Sequence, residues 1–583
     1  MTVKKVTPGL SVSPQISEQD ISILAAQGFK GIINNRPDGE SMGQPSAAKM
    51  ADLAAEHGMD YRHIPIRPGR MTKKDINAFG RAMAQMKGPV LAHCRSGMRS
   101  ISLWALSEAG HLSTDAILKT AASAGYNLSA LRGTIEGMTA GSADTKGRAK
   151  KVPEAERHAH DVVIIGGGAG GIAAAASLLK RRADLDIAII EPKEVHYYQP
   201  GWTLVGGGVF SREQTKRPLA DVLPAGTTWL HGAVAEFLPT KNAVVLEDGE
   251  KIYYKTLVVA PGLKLDWDKV EGLTDTLGKN GVTSNYRFDL APYTWELVTG
   301  LRNGRALFTQ PPMPIKCAGA PQKAMYMACD HWRREGRLKD IDINFHLAGA
   351  ALFGVADYVP ALMGYIERYN AHLHYKEDLI AVDGAKKIAT FAVTDDAGNV
   401  TQETREFDML HVCPPQGPLD VMKGSPIADA VGWVAVNNET LQHQKYGNIF
   451  SLGDSCSAPN AKTAAAVRKQ APVVAHNVLA VLDGQAPGAL YAGYGSCPLT
   501  VERGKVVLAE FGYGGKLQPT LPRWLIEGTK PSSIAWFLKE KLMPSIYFDL
   551  MLKGREWLAK PQVLSHAPLA HDASDACDFK DKK

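Results

Sequence analysis

The stretch Val162-Val-Ile-Ile-Gly-Gly-Gly-Ala-Gly-Gly171 decides the fold of most of this chain. Its β-branched run predicts a buried strand, and the Ala-rich segment after the glycines predicts a helix. Gly166, Gly168 and Gly171 form a GxGxxG pattern between the two. In such a turn the first glycine makes the bend, the second admits a pyrophosphate and the third packs helix on strand. We therefore predict a Rossmann-like dinucleotide-binding unit that begins here.

Three later segments identify the dinucleotide. The strand that starts at Ile187 ends in Glu191, twenty residues after Gly171, where a ribose-binding carboxylate is expected. The segments Thr256-Leu-Val-Val-Ala-Pro-Gly and Tyr446-Gly-Asn-Ile-Phe-Ser-Leu-Gly-Asp resemble the later fingerprints of flavoproteins with two dinucleotide-binding domains. That resemblance implies FAD, with the Gly-Asp aspartate on the ribityl chain. The predicted cofactor contacts are Gly166, Gly168, Gly171, Glu191, Pro261, Gly453, Asp454 and Lys462.

Length and composition narrow the class of protein. The chain has 583 residues, and at about 150 residues per domain this suggests three or four domains. Hydrophobic residues make up 45% and charged residues 22%, as in ordinary globular proteins. The net charge of +6 is too diffuse to indicate a nucleic-acid partner. The seven cysteines include no CxxC pair, which disfavours structural zinc, and we predict no metal site. We also expect a reducing compartment and no secretory signal.

The predicted architecture is α/β, with parts of different character. In order, we expect an α/β domain at 1–140, a polar linker at 141–160, the FAD-dependent oxidoreductase at 161–520, an amphipathic segment at 521–562 and a disordered tail at 563–583. A second dinucleotide-type domain should be inserted near 285–400. Its turn reads Leu347-Ala-Gly-Ala-Ala-Leu-Phe-Gly, which departs from GxGxxG, so we expect no tight NAD(P) site there.

Four segments carry a more specific resemblance. They are His196-Tyr-Tyr-Gln-Pro-Gly-Trp-Thr-Leu-Val-Gly, Pro314-Ile-Lys-Cys-Ala-Gly-Ala-Pro-Gln-Lys, Leu410-His-Val-Cys-Pro-Pro and Gly453-Asp-Ser-Cys-Ser-Ala-Pro-Asn-Ala-Lys-Thr-Ala-Ala-Ala. Over about 161–560 the chain resembles the sulfide:quinone oxidoreductases, in the branch of the mitochondrial enzyme. The resemblance implies a redox-active cysteine pair beside the flavin that oxidises sulfide to a persulfide. Electrons then pass to quinone, and the sulfane sulfur leaves on a thiol, sulfite or cyanide.

The cysteine pair is only half defined by this resemblance. Cys317 matches the first cysteine and follows Lys316, a cation that favours a thiolate. The family places the second directly after Gly-Asp, where this chain has Ser455. We predict Cys456, one residue later, as the partner and keep Cys413 in reserve. Cys329 and Cys497 are expected to be structural and Cys577 to lie in the tail.

A second cysteine loop lies near the N-terminus. Val90-Leu-Ala-His-Cys-Arg-Ser-Gly-Met-Arg-Ser100 predicts a strand, a Gly-containing loop and a helix, which together turn N–H groups toward Cys94 and suit an anion. The domain resembles the phosphatase-like domain of beta-lactamase hydrolase-like proteins, near the dual-specificity phosphatases. Phosphatases, however, have their arginine six positions after the cysteine, and Arg99 is five after Cys94. That length resembles the rhodanese loop, in which cysteine carries a persulfide.

The chemistry around the loop favours sulfur transfer over phosphate hydrolysis. A phosphatase needs a general acid, and no carboxylate follows the strand at 61–66 until Asp75. Persulfide transfer needs no such acid, and Arg67, Arg70 and Arg99 suit an anionic sulfur substrate. We therefore predict Cys94 and Arg99 as sulfurtransferase residues. Two alternatives stay open: a protein phosphatase fused to an FAD-dependent disulfide reductase, and a non-catalytic redox sensor.

The C-terminal segment suggests how a lipid-soluble quinone is reached. Residues 521–561 hold three of the ten tryptophans among several lysines and arginines. Such a pattern is typical of a monotopic anchor that places apolar residues in the bilayer and cations at anionic headgroups. We predict a peripheral protein on the cytoplasmic side of the cell membrane. An ordinary packed C-terminal subdomain is the alternative, and a homo-oligomer is left open.

Overall fold

The computed structural model describes residues 2–41, 43–66, 71–86, 88–109, 112–136 and 159–564. The chain forms two compact units, residues 1–157 and 158–583. The predicted linker and tail lie largely outside the described residues. Where they are described, they form strands: Ala159 and His160 begin one, and Gln562–Val563 form another. The predicted linker therefore extends two residues too far, because these two residues pair with Tyr253 and Tyr254 of a neighbouring strand.

The N-terminal unit is a mixed sheet with helices around it. Its described strands are β1 (Lys4–Lys5), β2 (Leu10–Ser13), β3 (Gly31–Asn34), β4 (Asp60–His63) and β5 (Val90–His93). Its helices are α1 (Glu18–Ala26), α2 (Ala47–Glu56), α3 (Lys73–Gln85), α4 (Met98–Ser107) and α5 (Thr114–Ser123). The strand order is β1-β2-β5-β3-β4, and β2 to β4 pair in parallel. Every residue of β5 is buried, so the loop after it starts at the carboxyl edge of a central strand.

The second unit starts with the predicted strand, turn and helix. Its first elements are β6 (Ala159–Ile165), α6 (Ala169–Arg181), β7 (Ile187–Ile190), β8 (Thr227–Leu230), β9 (Val234–Leu238), β10 (Ala243–Leu246) and β11 (Lys251–Val259). Strands β8, β7, β6 and β11 pair in parallel, and β10 and β9 continue the sheet in antiparallel fashion. Buried Val, Ile and Ala side chains of β6, β7 and α6 form the centre of its core.

A second parallel sheet follows within the same unit. Its elements are β12 (Val282–Thr283), α7 (Ala291–Gly300), β13 (Gly304–Gln310), α8 (Ala320–Arg334), β14 (Ile341–Leu347), α9 (Val359–Tyr369), β15 (His372–Tyr375), β16 (Glu377–Asp383), β17 (Ile388–Thr394), β18 (Val400–Glu406) and β19 (Met409–His411). The parallel order is β12-β19-β13-β14-β15, and β16 to β18 form an antiparallel sheet. The mixed α/β fold predicted from the sequence is confirmed.

The chain then returns to the first sheet. The elements are β20 (Ile449–Ser451), α10 (Ala464–Leu482), β21 (Gly495–Glu502) and β22 (Lys505–Phe511). Strand β20 pairs in parallel with β11, so Gly453-Asp454 follows at the same sheet edge as the glycine turn after β6. The hairpin β21–β22 packs on α8 through apolar side chains such as Leu499 and Met325. This packing brings β21 close to the start of α8.

Several short elements complete the unit. The paired short strands are Val195–Tyr197 with Lys216–Pro218, Lys264–Leu265 with Gln416–Gly417, and Ala489–Leu490 with Gln562–Val563. The short helices are Trp202–Val205, Leu219–Val222 and Leu273–Thr276.

The C-terminal segment winds across the unit as a chain of short helices. They are Ser533–Phe537, Leu538–Leu542, Met543–Ser545, Ile546–Leu550 and Met551–Lys553. One side is packed: Glu556 accepts from Ser177 Oγ at 2.6 Å and Arg181 Nη2 at 2.8 Å on α6. The other side exposes large apolar side chains, with Trp524 85% and Phe537 54% exposed. Among the described residues, no helix has the length and apolar character needed to cross a bilayer.

Candidate active sites

The glycine turn after β6 is packed too closely for a larger residue at two of its three motif glycines. Gly166 has a φ of +100°, and a Cβ there would lie 2.5 Å from the carbonyl oxygen of Ala260. A Cβ on Gly171 would lie 1.9 Å from the carbonyl oxygen of Gly166. At Gly168, by contrast, a Cβ would meet nothing within 4 Å. Backbone contact therefore requires two of the glycines, and the third leaves the cavity wall open to a ligand.

Glu191 closes the other side of this turn. Its Oε2 accepts from the backbone N–H of Gly167 at 2.8 Å, and its Oε1 accepts from that of Lys193 at 2.9 Å. A carboxylate at the end of β7 is thus held beside the helix that begins at Ala169. This is the arrangement expected of a group that contacts a ribose at a phosphate-binding helix start.

One cavity of about 410 Å³ joins this turn to the later fingerprints. Its lining includes the predicted contacts Gly168, Glu191, Pro261, Gly453, Asp454 and Lys462, together with Cys317. Lys462 Nζ donates to the backbone oxygen of Asp454 at 2.8 Å, so the two residues are fixed together. Burial raises the pKa of Asp454, although Lys316 and Lys462 oppose that shift. The open Gly168 wall, the Glu191 carboxylate and the Gly-Asp edge fit a dinucleotide cofactor.

Cys317 lies beside Cys497, which the sequence predicted to be structural. The Sγ atoms of Cys317 and Cys497 lie 3.8 Å apart. Lys323, on the first turn of α8, donates from Nζ to Cys317 Sγ at 3.1 Å and approaches Cys497 Sγ at 3.6 Å. The backbone of Cys317 is held by an N–H bond to the carbonyl oxygen of Lys462 at 2.9 Å. Two sulfurs and one buried ammonium therefore form a single cluster at the cavity.

The two cysteine thiols of this cluster have pKa values shifted in opposite directions. The hydrogen bond from Cys497 holds the pKa of Cys317 well below its usual range; Lys323 adds to this effect, and burial opposes it. The pKa of Cys497 is raised by the same bond and by burial. Lys539, from the C-terminal segment, lies fully within the fold, and burial together with Lys323 lowers its pKa to about 8. The shorter contact of Lys323 Nζ with Cys317 Sγ, 3.1 Å against 3.6 Å to Cys497 Sγ, favours Cys317 as the thiolate of the pair in the same way.

The structure places Cys497, and neither of the two predicted partners, against Cys317. Cys456 Sγ lies behind the Gly-Asp turn, where it donates to the carbonyl oxygen of Gly453 at 3.3 Å, and burial raises its pKa. Burial also raises the pKa of Cys413, to about 12, with Gln416 Nε2 3.7 Å from its sulfur. Cys497, which was predicted to be structural, lies beside Cys317 and Lys323. The sequence could not indicate it because 180 residues separate it from Cys317.

The N-terminal loop holds its cysteine differently. Cys94 is fully buried, and its Sγ accepts from the backbone N–H of Gly97 at 3.2 Å. Gly97 has a φ of +86° and precedes α4. Arg99 donates to the carbonyl oxygen of Ile66 at 2.5 Å and to Glu40 Oε2 at 2.8 Å, and Arg36 Nε donates to the same Glu40 oxygen at 2.7 Å. The loop thus combines a backbone donor with two arginines that share one carboxylate.

Glu40 was missed in the sequence, and it bears on the general-acid question. The hydrogen bond from Arg99 lowers its pKa, with further lowering from Arg36, although burial opposes both. Glu40 is therefore ionised at neutral pH and is a poor proton donor. Asp75 caps α3, where its carboxylate accepts from Thr72 N at 2.8 Å and Thr72 Oγ1 at 2.7 Å. The predicted Arg67 and Arg70 lie outside the described residues.

One further cluster in the described part of the chain has the composition of a metal site. Ligand atoms of His346, His374 and Glu377 lie within 4.8 Å of one another. His346 Nδ1 is 2.7 Å from Glu377 Oε2, and Arg405 Nη2 is 3.7 Å from Oε1. Since its carboxylate already has nitrogen partners, we interpret this cluster as a hydrogen-bond network between β14, β15 and β16.

Comparison with known proteins assigns both units. The family profile for pyridine nucleotide-disulphide oxidoreductases matches residues 160–293, and that for the phosphatase-like domain of beta-lactamase hydrolase-like protein matches residues 2–111. A mitochondrial sulfide:quinone oxidoreductase of Dictyostelium discoideum is 43% identical over 377 residues, which is 64% of this chain and 81% of that protein. This chain belongs to the sulfide:quinone oxidoreductases.

A solved structure and a second relative are similar to different parts of the chain. The crystal structure of the sulfide:quinone oxidoreductase from Aquifex aeolicus shares the fold, with a TM-score of 0.56 at 21% identity, covering 68% of this chain and 92% of that one. A beta-lactamase hydrolase-like protein of Agrobacterium fabrum is 43% identical over 109 residues, which is 19% of this chain and a quarter of that protein. The sulfide:quinone oxidoreductase described here therefore carries a phosphatase-like domain before its flavoprotein unit.

The cofactor of this sulfide:quinone oxidoreductase is FAD, as predicted. The residues that the sequence reasoning missed around it are Cys497 and two lysines, Lys323 and Lys539. Lys323 stands six residues after Cys317, on the first turn of α8. Such a position places a side chain over the loop that precedes the helix.

We expect Lys323→Met to raise the thiol pKa of Cys317, because the ammonium 3.1 Å from its sulfur is lost. Alkylation of Cys317 at pH 6.5, measured by mass spectrometry of its peptide, should slow by about tenfold or more, as expected for a shift of one pKa unit. Lys505→Met, at an exposed position of the same hairpin as Cys497, is the control and should alkylate as wild type. An unchanged pH profile in Lys323→Met would show that the lysine does not hold the thiolate.

Proposed function

We propose that this sulfide:quinone oxidoreductase oxidises sulfide at the pair Cys317 and Cys497 and passes the two electrons through FAD to quinone. The observation that supports this most directly is the 3.8 Å approach of the two sulfurs beside the buried Lys323. Cys317 also lines the cavity that contains the glycine turn and Asp454. The relatives named sulfide:quinone oxidoreductase support the substrate pair.

The unequal pKa values suggest the direction of the sulfur chemistry. In the oxidised pair, HS⁻ attacks Cys497, the disulfide bond breaks, Cys497 keeps the new sulfur as a persulfide, and Cys317 leaves as a thiolate. A leaving thiol of lower pKa departs faster, and the pKa of Cys317 is the lowered one. Transfer of the persulfide sulfur to an acceptor thiol or sulfite frees Cys497 as a thiolate, so the two electrons from sulfide then reside on two cysteine thiolates. The Cys317–Cys497 disulfide re-forms when those electrons leave, and FAD held by the glycine turn, Glu191 and Asp454 would supply the acceptor that carries them on to quinone.

Lys323 and Lys539 give this site its charge. Both ammonium groups are buried, and Lys539 Nζ donates to the carbonyl oxygen of Pro200 at 3.1 Å. A buried cation near the sulfurs stabilises HS⁻ on approach and the thiolate after cleavage. Water is kept away by the apolar side chains of Leu538, Met543 and Ile546 along the same cavity.

We further propose that Cys94 of the N-terminal unit transfers sulfane sulfur. The backbone donor at Gly97 and the pair Arg36 and Arg99 suit an anionic sulfur donor such as thiosulfate. Cys94 thiolate attacks the sulfane sulfur and sulfite leaves, so the step needs no oxidant and no proton donor. Fusion to the flavoprotein unit raises the local concentration of one centre near the other. Phosphatase activity is the alternative, and the family profile favours it. A phosphatase needs a group that donates a proton, and the ionised Glu40 carries none.

The C-terminal segment supports a place at the membrane surface. Trp524, Leu525, Ile534, Phe537 and Leu542 are exposed, while Leu538, Met543 and Ile546 of the same segment line the cavity. One element therefore presents apolar side chains both outward and toward the cofactor site. We propose that it lies in the headgroup region on the cytoplasmic side of the cell membrane and admits quinone from there.

Replacing either Cys317 or Cys497 by serine should abolish flavin bleaching by sulfide under anaerobic conditions, because no persulfide can form on an oxidised pair. Absorbance near 450 nm, followed as sulfide and then a soluble quinone are added, measures both half-reactions. Wild type should bleach and recover. Cys456→Ser and Cys413→Ser are the matched controls and should bleach within about twofold of wild type. Loss of bleaching in Cys456→Ser with retention in Cys497→Ser would restore the pairing predicted from sequence.

Cys94→Ser should abolish thiosulfate:thiol sulfur transfer by the N-terminal unit and leave sulfide:quinone turnover intact. Sulfite release, measured in a Cys317→Ser background, isolates the N-terminal centre. The alternative is tested in parallel with an aryl phosphate. Turnover of that ester lost in Cys94→Ser, without sulfite release in the parent, would assign a phosphatase instead.

The paired change Trp524→Ser and Phe537→Ser should weaken binding to vesicles of anionic phospholipid, because two exposed apolar side chains are removed. Cosedimentation should fall about tenfold or more, while turnover with a soluble quinone persists. Val400→Ser with Val431→Ser removes comparably exposed apolar residues elsewhere and is the control. Equal cosedimentation of both paired variants would argue against an anchor at 521–562.

A further inference from the structure

The N-terminal unit contains a buried hydroxyl with no visible partner. Tyr126 is 6% exposed, and among the described residues its Oη has no hydrogen-bond partner. A buried polar group without a partner is unfavourable, so folded proteins rarely retain one that no ligand or water satisfies. Tyr61, the other tyrosine of this unit, differs: its Oη accepts from Asn34 Nδ2 at 2.9 Å. The position of the Tyr126 hydroxyl therefore calls for an explanation.

That hydroxyl lies against the cysteine loop. A Cβ built on Gly97 would stand 2.0 Å from Tyr126 Oη, so the phenol occupies the space that any side chain at 97 would need. The N–H of the same Gly97 donates to Cys94 Sγ. Within the described part of the unit, Ser100 Oγ and both ring nitrogens of His93 also have no hydrogen-bond partner. Unsatisfied polar groups thus gather around one cysteine.

The environment keeps the phenol protonated. Burial, and then the charge of Cys94, raise the pKa of Tyr126, so at neutral pH it offers a proton to a hydrogen bond. The Lys4 ammonium lies over the aromatic ring of Tyr126, 4.4 Å from the ring centroid, and holds the ring in place. Arg99, the cation of the loop, is engaged by Glu40 and Ile66. The phenol is thus a neutral donor beside a cysteine whose arginine is already engaged.

We propose that Tyr126 is a catalytic residue of the N-terminal centre, whose hydroxyl donates a hydrogen bond to the sulfane sulfur carried by Cys94. This inference rests on the proposed sulfurtransferase function. In loading, Cys94 thiolate attacks the outer sulfur of thiosulfate, the S–S bond of thiosulfate breaks, and sulfite leaves with the bonding pair. Negative charge gathers on the transferred sulfur, which Tyr126 stabilises while Gly97 N–H holds Cys94 Sγ. An acceptor thiolate then takes that sulfur and returns Cys94 to the thiolate.

The test compares Tyr126→Phe with Tyr61→Phe in the full-length protein, both in the Cys317→Ser background. Sulfite release from thiosulfate with a thiol acceptor gives kcat and KM, and thermal unfolding gives Tm. Tyr126→Phe should lower kcat about tenfold with KM for thiosulfate unchanged, because the hydrogen bond forms only as charge builds on the transferred sulfur. Its Tm should stay or rise, since no existing bond is lost. Tyr61→Phe should show the reverse: normal kcat and a lower Tm.

The outcomes separate this inference from the function on which it rests. If Cys94→Ser abolishes transfer but Tyr126→Phe transfers sulfur like the parent, the function stands and the role of Tyr126 is refuted. If Tyr126→Phe lowers kcat but also lowers Tm by as much as Tyr61→Phe does, the residue acts in folding, and the proposal is overturned. If Cys94→Ser still releases sulfite, the sulfurtransferase function itself fails, and the role of Tyr126 fails with it.

Discussion

The flavoprotein unit is organised around one buried ammonium. Lys323 has almost no contact with solvent, and a cation in that position is tolerated only where anionic partners replace water. The two sulfurs beside it supply that compensation, one from the loop before α8 and one from β21. Hairpin, helix and loop must therefore converge at one point before the ammonium is stable there. The position of the cysteine pair beside this ammonium thus depends on the packing of β21 against α8.

The two units place different hydrogen-bond donors beside their cysteine sulfurs. Around Cys317 the compensating charge is a lysine side chain, whereas around Cys94 it is a backbone N–H, with the nearby arginines bound to Glu40. A lysine is a compact point charge that suits a small anion such as HS⁻, and an arginine pair suits a larger oxyanion. Under the functions proposed above, this contrast would let the two centres take sulfur substrates of different size.

The sequence predicted local features well and long-range contacts poorly. The glycine turn, Glu191 and the Gly-Asp edge are each encoded by neighbouring residues, and FAD follows from their order along the chain. The predicted partner of Cys317 was Cys456, one residue from a family position, whereas Cys497 reaches Cys317 only through the packing of β21 on α8. Glu40 was missed because its contact with Arg99 joins the loop after β3 to α4, 59 residues away along the chain. Residue spacing in the sequence reveals motifs, but it does not reveal which distant side chains form ion pairs or hydrogen bonds with one another.

Lys539 changes how the C-terminal segment should be regarded. The same segment that exposes Trp524 and Phe537 places this lysine in the interior, where its charge acts on Cys317 and Cys497. The segment is consequently part of the cysteine cluster and not a detachable tail. A protein shortened before it would lose one of the two buried ammonium groups of that cluster.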